Sequence, residues 1–234
     1  MIPISDDNPV RLVPVVTWTI IALCVLAFVW ELSLGRSMEQ ALQVLGFSPA
    51  SLSGALVPPP GYLAVPAWAT IFISMFLHGG FLHIAGNMLY LWIFGNNVED
   101  AMGHVRFTAF YLVCGAAAAL AMAAVDPASQ VPMVGASGAI SGVLAAYVLL
   151  YPRARVTVIV PLGIIFYPFK ISAGWVVGFW FVMQLASAFY TTSGQAGVAW
   201  WAHVGGFIVG AALTPLFKSA HVPLFGDVHR GPWG

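Results

Sequence analysis

Six apolar runs dominate the sequence, at 13–34, 81–98, 107–125, 134–151, 171–190 and 199–217. Each is 18 to 22 residues long, and none carries Asp, Glu, Lys or Arg near its middle. A helix rises about 1.5 Å per residue, so about 17–25 apolar residues cross the roughly 30 Å hydrocarbon layer of a bilayer. Every backbone N–H and C=O in that layer must be paired, and a helix pairs them within the segment. The expected fold is an all-α membrane protein, a six-transmembrane-helix bundle. Composition supports this: 7% of the residues are charged and 60% are hydrophobic, whereas about 25% are charged in a soluble domain. That balance excludes an ordinary soluble enzyme, and the apolar excess excludes disorder. Eight Lys+Arg against eight Asp+Glu leave no basic face, which excludes a nucleic-acid partner.

The basic residues orient the bundle, because cytoplasmic loops carry the excess of Lys and Arg. A cytoplasmic N-terminus puts Arg11, Arg106, Arg153, Arg155, Lys170, Lys218 and Arg230 inside and only Arg36 outside. Both termini are therefore expected in the cytoplasm, with tails at 1–12 and 218–234 flanking one membrane domain at 13–217. The apolar stretches 67–77 and 156–169 are too short to span, and Pro161 and Pro168 interrupt the second. Both read as interfacial or re-entrant pieces. The loop 35–66, rich in Gly, Ser and Pro, is the longest connection and is expected to pack on the bilayer surface or carry function. Residues 1–8 lack a basic n-region, so no cleavable signal peptide is expected. Cys24 and Cys114 both fall inside apolar runs, which argues against a disulfide framework or a cysteine-rich metal site.

Polar side chains inside a membrane are costly, and each is a candidate for function. They are His83 and Asn87 in the second run, Ser137 and Ser141 in the fourth, Gln184 in the fifth and His203 in the sixth. The second, fourth and sixth spans all run from outside to inside. His83, Ser137 and His203 each lie within the first five residues of their span. All three should thus sit at one depth, about a turn below the outer surface. Gly138 and Gly142 are four apart, as are Gly206 and Gly210, and such faces let helix backbones approach closely in lipid. Close approach would bring the Ser137 hydroxyl within reach of the His203 imidazole, a nucleophile beside its general base. His83 and Asn87, four apart on one helix face, can donate hydrogen bonds to a developing oxyanion. The Ser137 backbone N–H, unpaired in the first helical turn, is a third donor, and Gly135 is a further candidate for the lining. No carboxylate lies at this depth to orient His203, so the expectation is a dyad.

The plainer readings have weight of their own. A serine in a glycine-rich span is usually packing glue, and Gln184 reads as interhelical glue. His78, His104, His221 and His229 read as interfacial residues. His78, His83 and His203 lack a compact metal-ligand spacing, so no metal and no cofactor is expected. A transporter or channel would spread polar side chains through the whole bilayer depth, whereas here they cluster toward the outer ends.

At these residues the chain resembles the rhomboid family of intramembrane serine proteases. Gly135-Ala136-Ser137-Gly138 is similar to the family's GxSG nucleophile motif, and Ala202-His203-Val204-Gly205-Gly206 with Gly210 is similar to its AHxGG segment. His78, His83 and Asn87 match its HxxxxHxxxN pattern, and Gly95-Asn96-Asn97-Val98-Glu99-Asp100 with Gly103 resembles the turn that follows. The resemblance implies a rhomboid-type bundle with Ser137 as nucleophile, His203 as general base, and His83 and Asn87 in the oxyanion hole. It implies cleavage of transmembrane protein substrates within the lipid bilayer, near the outer surface, with water and no cofactor. Placement in a bacterial inner membrane is expected, with the site facing the periplasmic or extracellular side. The fifth span and the segment 191–198, with Gly194 and Gly197, would form a movable entry side. Two positions depart from many members: Ser141 stands where an aromatic residue packs on the histidine, and the first loop lacks a Trp-Arg pair. A catalytically inactive relative that binds membrane clients through the same fold is the alternative function.

Overall fold

A computed structural model describes residues 2–56, 58–62, 65–162, 165–190 and 199–226. In chain order its elements are β1 (Ile2–Asp6), α1 (Val15–Ser33), α2 (Met38–Leu45), α3 (Ala67–Ile73), α4 (Phe81–Tyr90), α5 (Asn96–Met102), α6 (His104–Val125), α7 (Ser137–Leu150), β2 (Arg155–Leu162), β3 (Ile165–Ser172), α8 (Ala173–Tyr190) and α9 (Trp200–Phe217). The molecule is mostly helical. Among the described residues α1, α6, α8 and α9 are long and apolar enough to cross a membrane. A fifth crossing is counted if Ala67–Phe76 and Phe81–Met102, which meet at an 83° bend, form one broken span. The run 134–151 yields only the 14 residues of α7, about 21 Å of helix. Ten of the 14 residues of this short apolar helix are buried.

The start of α1 explains the acidic turn after α4. Pro14 holds the N-cap position without a side-chain hydrogen bond, so the first N–H groups of α1 need another acceptor. Glu99 of α5 supplies it. Its carboxylate accepts the N–H of Val16 at 2.9 Å, the N–H of Thr17 at 2.8 Å and the Thr17 hydroxyl at 2.6 Å. His104 Nδ1 lies 2.6 Å from the same group. Asp100 accepts the N–H of Leu12. A fully buried carboxylate at a helix N-terminus, with four donors around it, ties α1 to α5. Gly103, at φ +80°, makes the left-handed turn that lets α6 leave directly from α5. Between α4 and α5 the helix carries a π turn at Leu91–Gly95.

The reading of 156–169 as an interfacial or re-entrant piece is corrected. β2 and β3 form an antiparallel hairpin, with Arg155 opposite Ser172 and Leu162 opposite Ile165. The run Val156-Thr157-Val158-Ile159-Val160 is β-branched throughout, which suits a pleated surface better than a helix. Ala154, Val156 and Val158 are buried in alternation, and Pro168 pairs with Ile159 inside the sheet. The N-terminal tail is part of the same sheet: β1 runs antiparallel to β2, with Ile2 opposite Ile159 and Asp6 opposite Val156. The all-α expectation therefore gives way to a helical bundle with a three-stranded sheet in the order β1-β2-β3. Tyr147, near the C-terminal end of α7, donates its hydroxyl to Asp6 Oδ2 at 2.5 Å. Phe225 donates its N–H to the Leu149 carbonyl. The sheet and the segment after α9 thus gather at the C-terminal end of α7, while Ser137 stands at the other end.

The first loop seals that second end. The backbones of Phe47 and Met133 exchange two hydrogen bonds, and the Ala50 N–H donates to the Ser129 carbonyl. Phe47 is fully buried against Ile71, Ala119 and Ala123. The segment 191–198, expected as a flexible entry loop, and His229 lie outside the described residues.

Candidate active site

α7 and α9 meet through glycine. A Cβ on Gly206 would lie 2.1 Å from the Gly138 carbonyl oxygen, and one on Gly210 would lie 2.4 Å from the Gly142 Cα. Backbone therefore rests on backbone, with no space for any side chain. Gly138 also abuts Ala118 of α6, and Gly142 abuts Cys114. Ser137 directly precedes Gly138, and His203 stands three residues before Gly206, so the seam carries both toward the same point. His203 is buried, and its Nε2 lies 2.7 Å from Ser137 Oγ.

The other ring nitrogen has a partner too. His203 Nδ1 lies 2.7 Å from Gln184 Oε1 of α8. An amide oxygen only accepts, so Nδ1–H donates to Gln184 and the Nε2 lone pair receives the Ser137 O–H. Gln184, which reads from the sequence as packing glue, thereby contacts the imidazole directly. The signal was present in the chain: Gln184 lies six residues before the end of the fifth run and His203 four after the start of the sixth. Antiparallel neighbours joined at that end hold such residues at similar depth.

The aromatic support for His203 also comes from an unexpected helix. Ser141 offers no ring, and its hydroxyl donates to the Ser137 carbonyl at 2.6 Å. Trp180 of α8 lies 6.1 Å from the imidazole centroid, inclined at 34°, and Trp200 lies 6.1 Å away, nearly perpendicular.

His83 and Asn87 gather around Gly135. Gly135 has φ +121°, a conformation that disfavours any side chain, and its N–H donates to the Ser74 carbonyl. A Cβ there would sit 2.7 Å from His83 Nε2 and 3.5 Å from Asn87 Nδ2. Two donors thus border one small space, two residues before Ser137. Asn87 is buried, and its Nδ2 has no hydrogen-bond partner among the described atoms. His78 is not interfacial: it is fully buried, with its ring edge-on to His83 at 5.2 Å. Its backbone N–H donates to Glu31 of α1 at 3.0 Å. Glu31, near the end of the first apolar run, is fully buried and fixes the chain just before α4. His221 is exposed, and His104 belongs to the Glu99 cluster. Among the described residues no group of three His, Cys, Asp or Glu could hold a metal ion.

A cavity of about 590 Å³ opens over these groups, lined by Ser137, His203, His83, Gly135, Met75 and Trp200. Asp126 and Ser129 of the α6–α7 connection bring polar groups to its wall.

The profile of the Rhomboid domain matches residues 66–220, which is more than half of the chain and contains Ser137, His203, Gln184, His83, Asn87 and Gly135. The chain belongs to the rhomboid family. It is 34% identical to the "Rhomboid protease GluP" of Bacillus subtilis over 59% of this chain and 24% of that protein. It is 37% identical to the "Rhomboid-like protein 11, chloroplastic" of Arabidopsis thaliana, over 38% of this chain and 31% of that one. With the "Rhomboid protein 1, mitochondrial" of Saccharomyces cerevisiae it shares 31% identity over 58% of this chain and 38% of the relative. The matches thus span between about a quarter and two fifths of these relatives' lengths. The chloroplastic and mitochondrial relatives overturn the placement in a bacterial inner membrane and point to an organellar one. A multi-pass rhomboid membrane protein is what remains of that expectation.

Proposed function

We propose that this rhomboid is an intramembrane serine endopeptidase that hydrolyses peptide bonds of transmembrane protein substrates through Ser137 and His203. The observation that carries the reading is the 2.7 Å contact between Ser137 Oγ and His203 Nε2, both of which line one cavity. The finer topology belongs to the same proposal: six helical segments cross or enter the bilayer, and both termini lie on the membrane side opposite the dyad.

In the first half-reaction Ser137 Oγ attacks the scissile carbonyl carbon while its proton passes to His203 Nε2. The carbonyl π pair moves onto oxygen, and the oxyanion takes hydrogen bonds from His83, Asn87 Nδ2 and the Ser137 N–H. Collapse breaks the C–N bond, and the leaving amine takes the proton from His203. Water then repeats the cycle on the acyl-enzyme, and no other co-reactant is needed. The reading is supported by the unspent Asn87 donor and by a glycine at position 135, which leaves the space beside it open.

A fluorophosphonate probe tests the nucleophile. Ser137 labels, Ser137→Ala does not, and labelling that survives in Ser137→Ala overturns the assignment. His203→Ala abolishes cleavage of a transmembrane substrate, a fall of about 10⁴-fold or more, while the purified protein stays folded. A folded wild-type chain that neither labels nor cleaves is instead an inactive, client-binding rhomboid.

A further inference from the structure

The buried face of α8 consists of Ala173, Val176, Val177, Gln184 and Ala188. Four of these are small and apolar, and interhelical packing alone would be met by a fifth. An amide on such a face carries a desolvation cost unless it is hydrogen-bonded. Here Gln184 Oε1 bonds to His203 Nδ1. Trp180, one turn earlier on the same helix face, inclines its ring over the same imidazole. α8 therefore touches the base at two points.

We infer that Gln184 is a positioning residue that holds His203 in the tautomer able to take the Ser137 proton. The inference rests on the dyad reading above. A neutral imidazole has one N–H and one lone pair. With the proton on Nδ1, where Gln184 accepts it, the lone pair stays on Nε2, 2.7 Å from Ser137 Oγ. With the proton on Nε2 the ring would present a donor to Ser137 and could not act as base. During attack Nε2 gains the serine proton, Nδ1–H keeps its bond, and the amide oxygen dipole faces the new cation; no proton reaches Gln184. A neutral amide does this without placing a second formal charge in a buried membrane site, where desolvation is costly.

The test uses the full chain purified in detergent, as wild type, Ser137→Ala, Gln184→Leu and Gln184→Glu, with melting curves to establish folding. Histidine ¹⁵N spectra of the wild type show His203 as the Nδ1–H tautomer, and Gln184→Leu loses that signature. On a transmembrane substrate Gln184→Leu lowers kcat about 10- to 100-fold, the usual cost of losing a group that orients a functional histidine, with KM nearly unchanged. Gln184→Glu recovers most of the turnover. It also moves the acid limb of kcat/KM to higher pH, because an anion beside Nδ1 favours the imidazolium. The inference is overturned if folded Gln184→Leu keeps the wild-type tautomer or kcat. It is equally overturned if Gln184→Glu loses as much activity as Gln184→Leu with an unmoved acid limb. Absence of Ser137-dependent turnover in the wild type would instead overturn the dyad reading, and the ¹⁵N spectra would still decide the Gln184 contact.

Discussion

Where α7 meets α9, glycine meets glycine and the two backbones touch. Where α8 meets α9, aromatic rings keep the backbones apart: Phe181 stacks on Phe207 at 4.1 Å, and Phe189 meets Trp201 at 5.3 Å. The outer face of α8 is bare, with Trp175, Phe179 and Val182 exposed on a helix long and apolar enough to cross a membrane. The two contacts divide the labour of one site. The glycine seam sets the Ser137–His203 separation with backbone atoms that have no rotamers to change. The α8 contact orients the imidazole with side chains that do, Trp180 and Gln184. Distance is thus held by the stiff interface and tautomer by the adjustable one.

The sharpest way to break this comparison is to put a side chain into the seam. Gly206→Val would drive its Cβ into the Gly138 carbonyl. Overpacking costs about 1–3 kcal/mol and occasionally more, and backbone pressed on backbone falls at the upper end, so the expected outcome is loss of the folded peak in size-exclusion chromatography together with all activity. A valine variant that folds and cleaves normally would show that the seam does not set the geometry. Next in size is Asn87→Ala, on α4 and outside both interfaces: kcat falls about 100- to 1000-fold while the melting temperature changes little. Trp180→Ala, on the adjustable side, should cost less. A ring contact is worth about 0.5–1.5 kcal/mol, so kcat drops about 3- to 10-fold, with lipid-facing Phe179→Ala as a neutral control in the same assay.

The smallest effect lies at the far end of α7, away from both interfaces. Burial raises the Asp6 carboxyl to about 6 from its ordinary 3.8, against the lowering effect of the Tyr147 hydroxyl. A raised carboxylate destabilises the fold above its folded value, and the penalty fades as pH falls from about 6 toward 3.8. Asp6→Asn should therefore be more stable than wild type at pH 7, and denaturation curves should show that advantage shrinking toward pH 4. Activity should not follow it.

Much of this architecture was legible in the chain because lipid imposes simple rules. Long uncharged runs must be helices, and polar residues in them must have a reason, which led directly to His83, Asn87, Ser137 and His203. The hairpin at 155–172 was not legible, because a strand buried against a bundle reads as an unbroken apolar run. Two prolines then looked like interruptions of a helix, although a sheet accepts them. Glu99 sits just past a run, and its role at the start of α1 was not legible, since only the tertiary fold brings the proline-started α1 to it. Gln184 reads as packing glue for a different reason: depth is compared only among helices running the same way, while its partner is the next helix, running back.

The brevity of α7 has a further consequence. Its 14 residues fall about 9 Å short of an average hydrocarbon layer. With its C-terminal end tied to the sheet through Tyr147 and Asp6, α7 holds the Ser137 hydroxyl at a fixed distance from that sheet. The lipid above it is the variable. On the protease reading proposed above, a substrate's scissile bond in a thin bilayer need travel little to reach Ser137, and in a thick one it must be drawn further in. The molecule would on that reading act as a ruler, with the thickness of its host membrane setting which bond is cut.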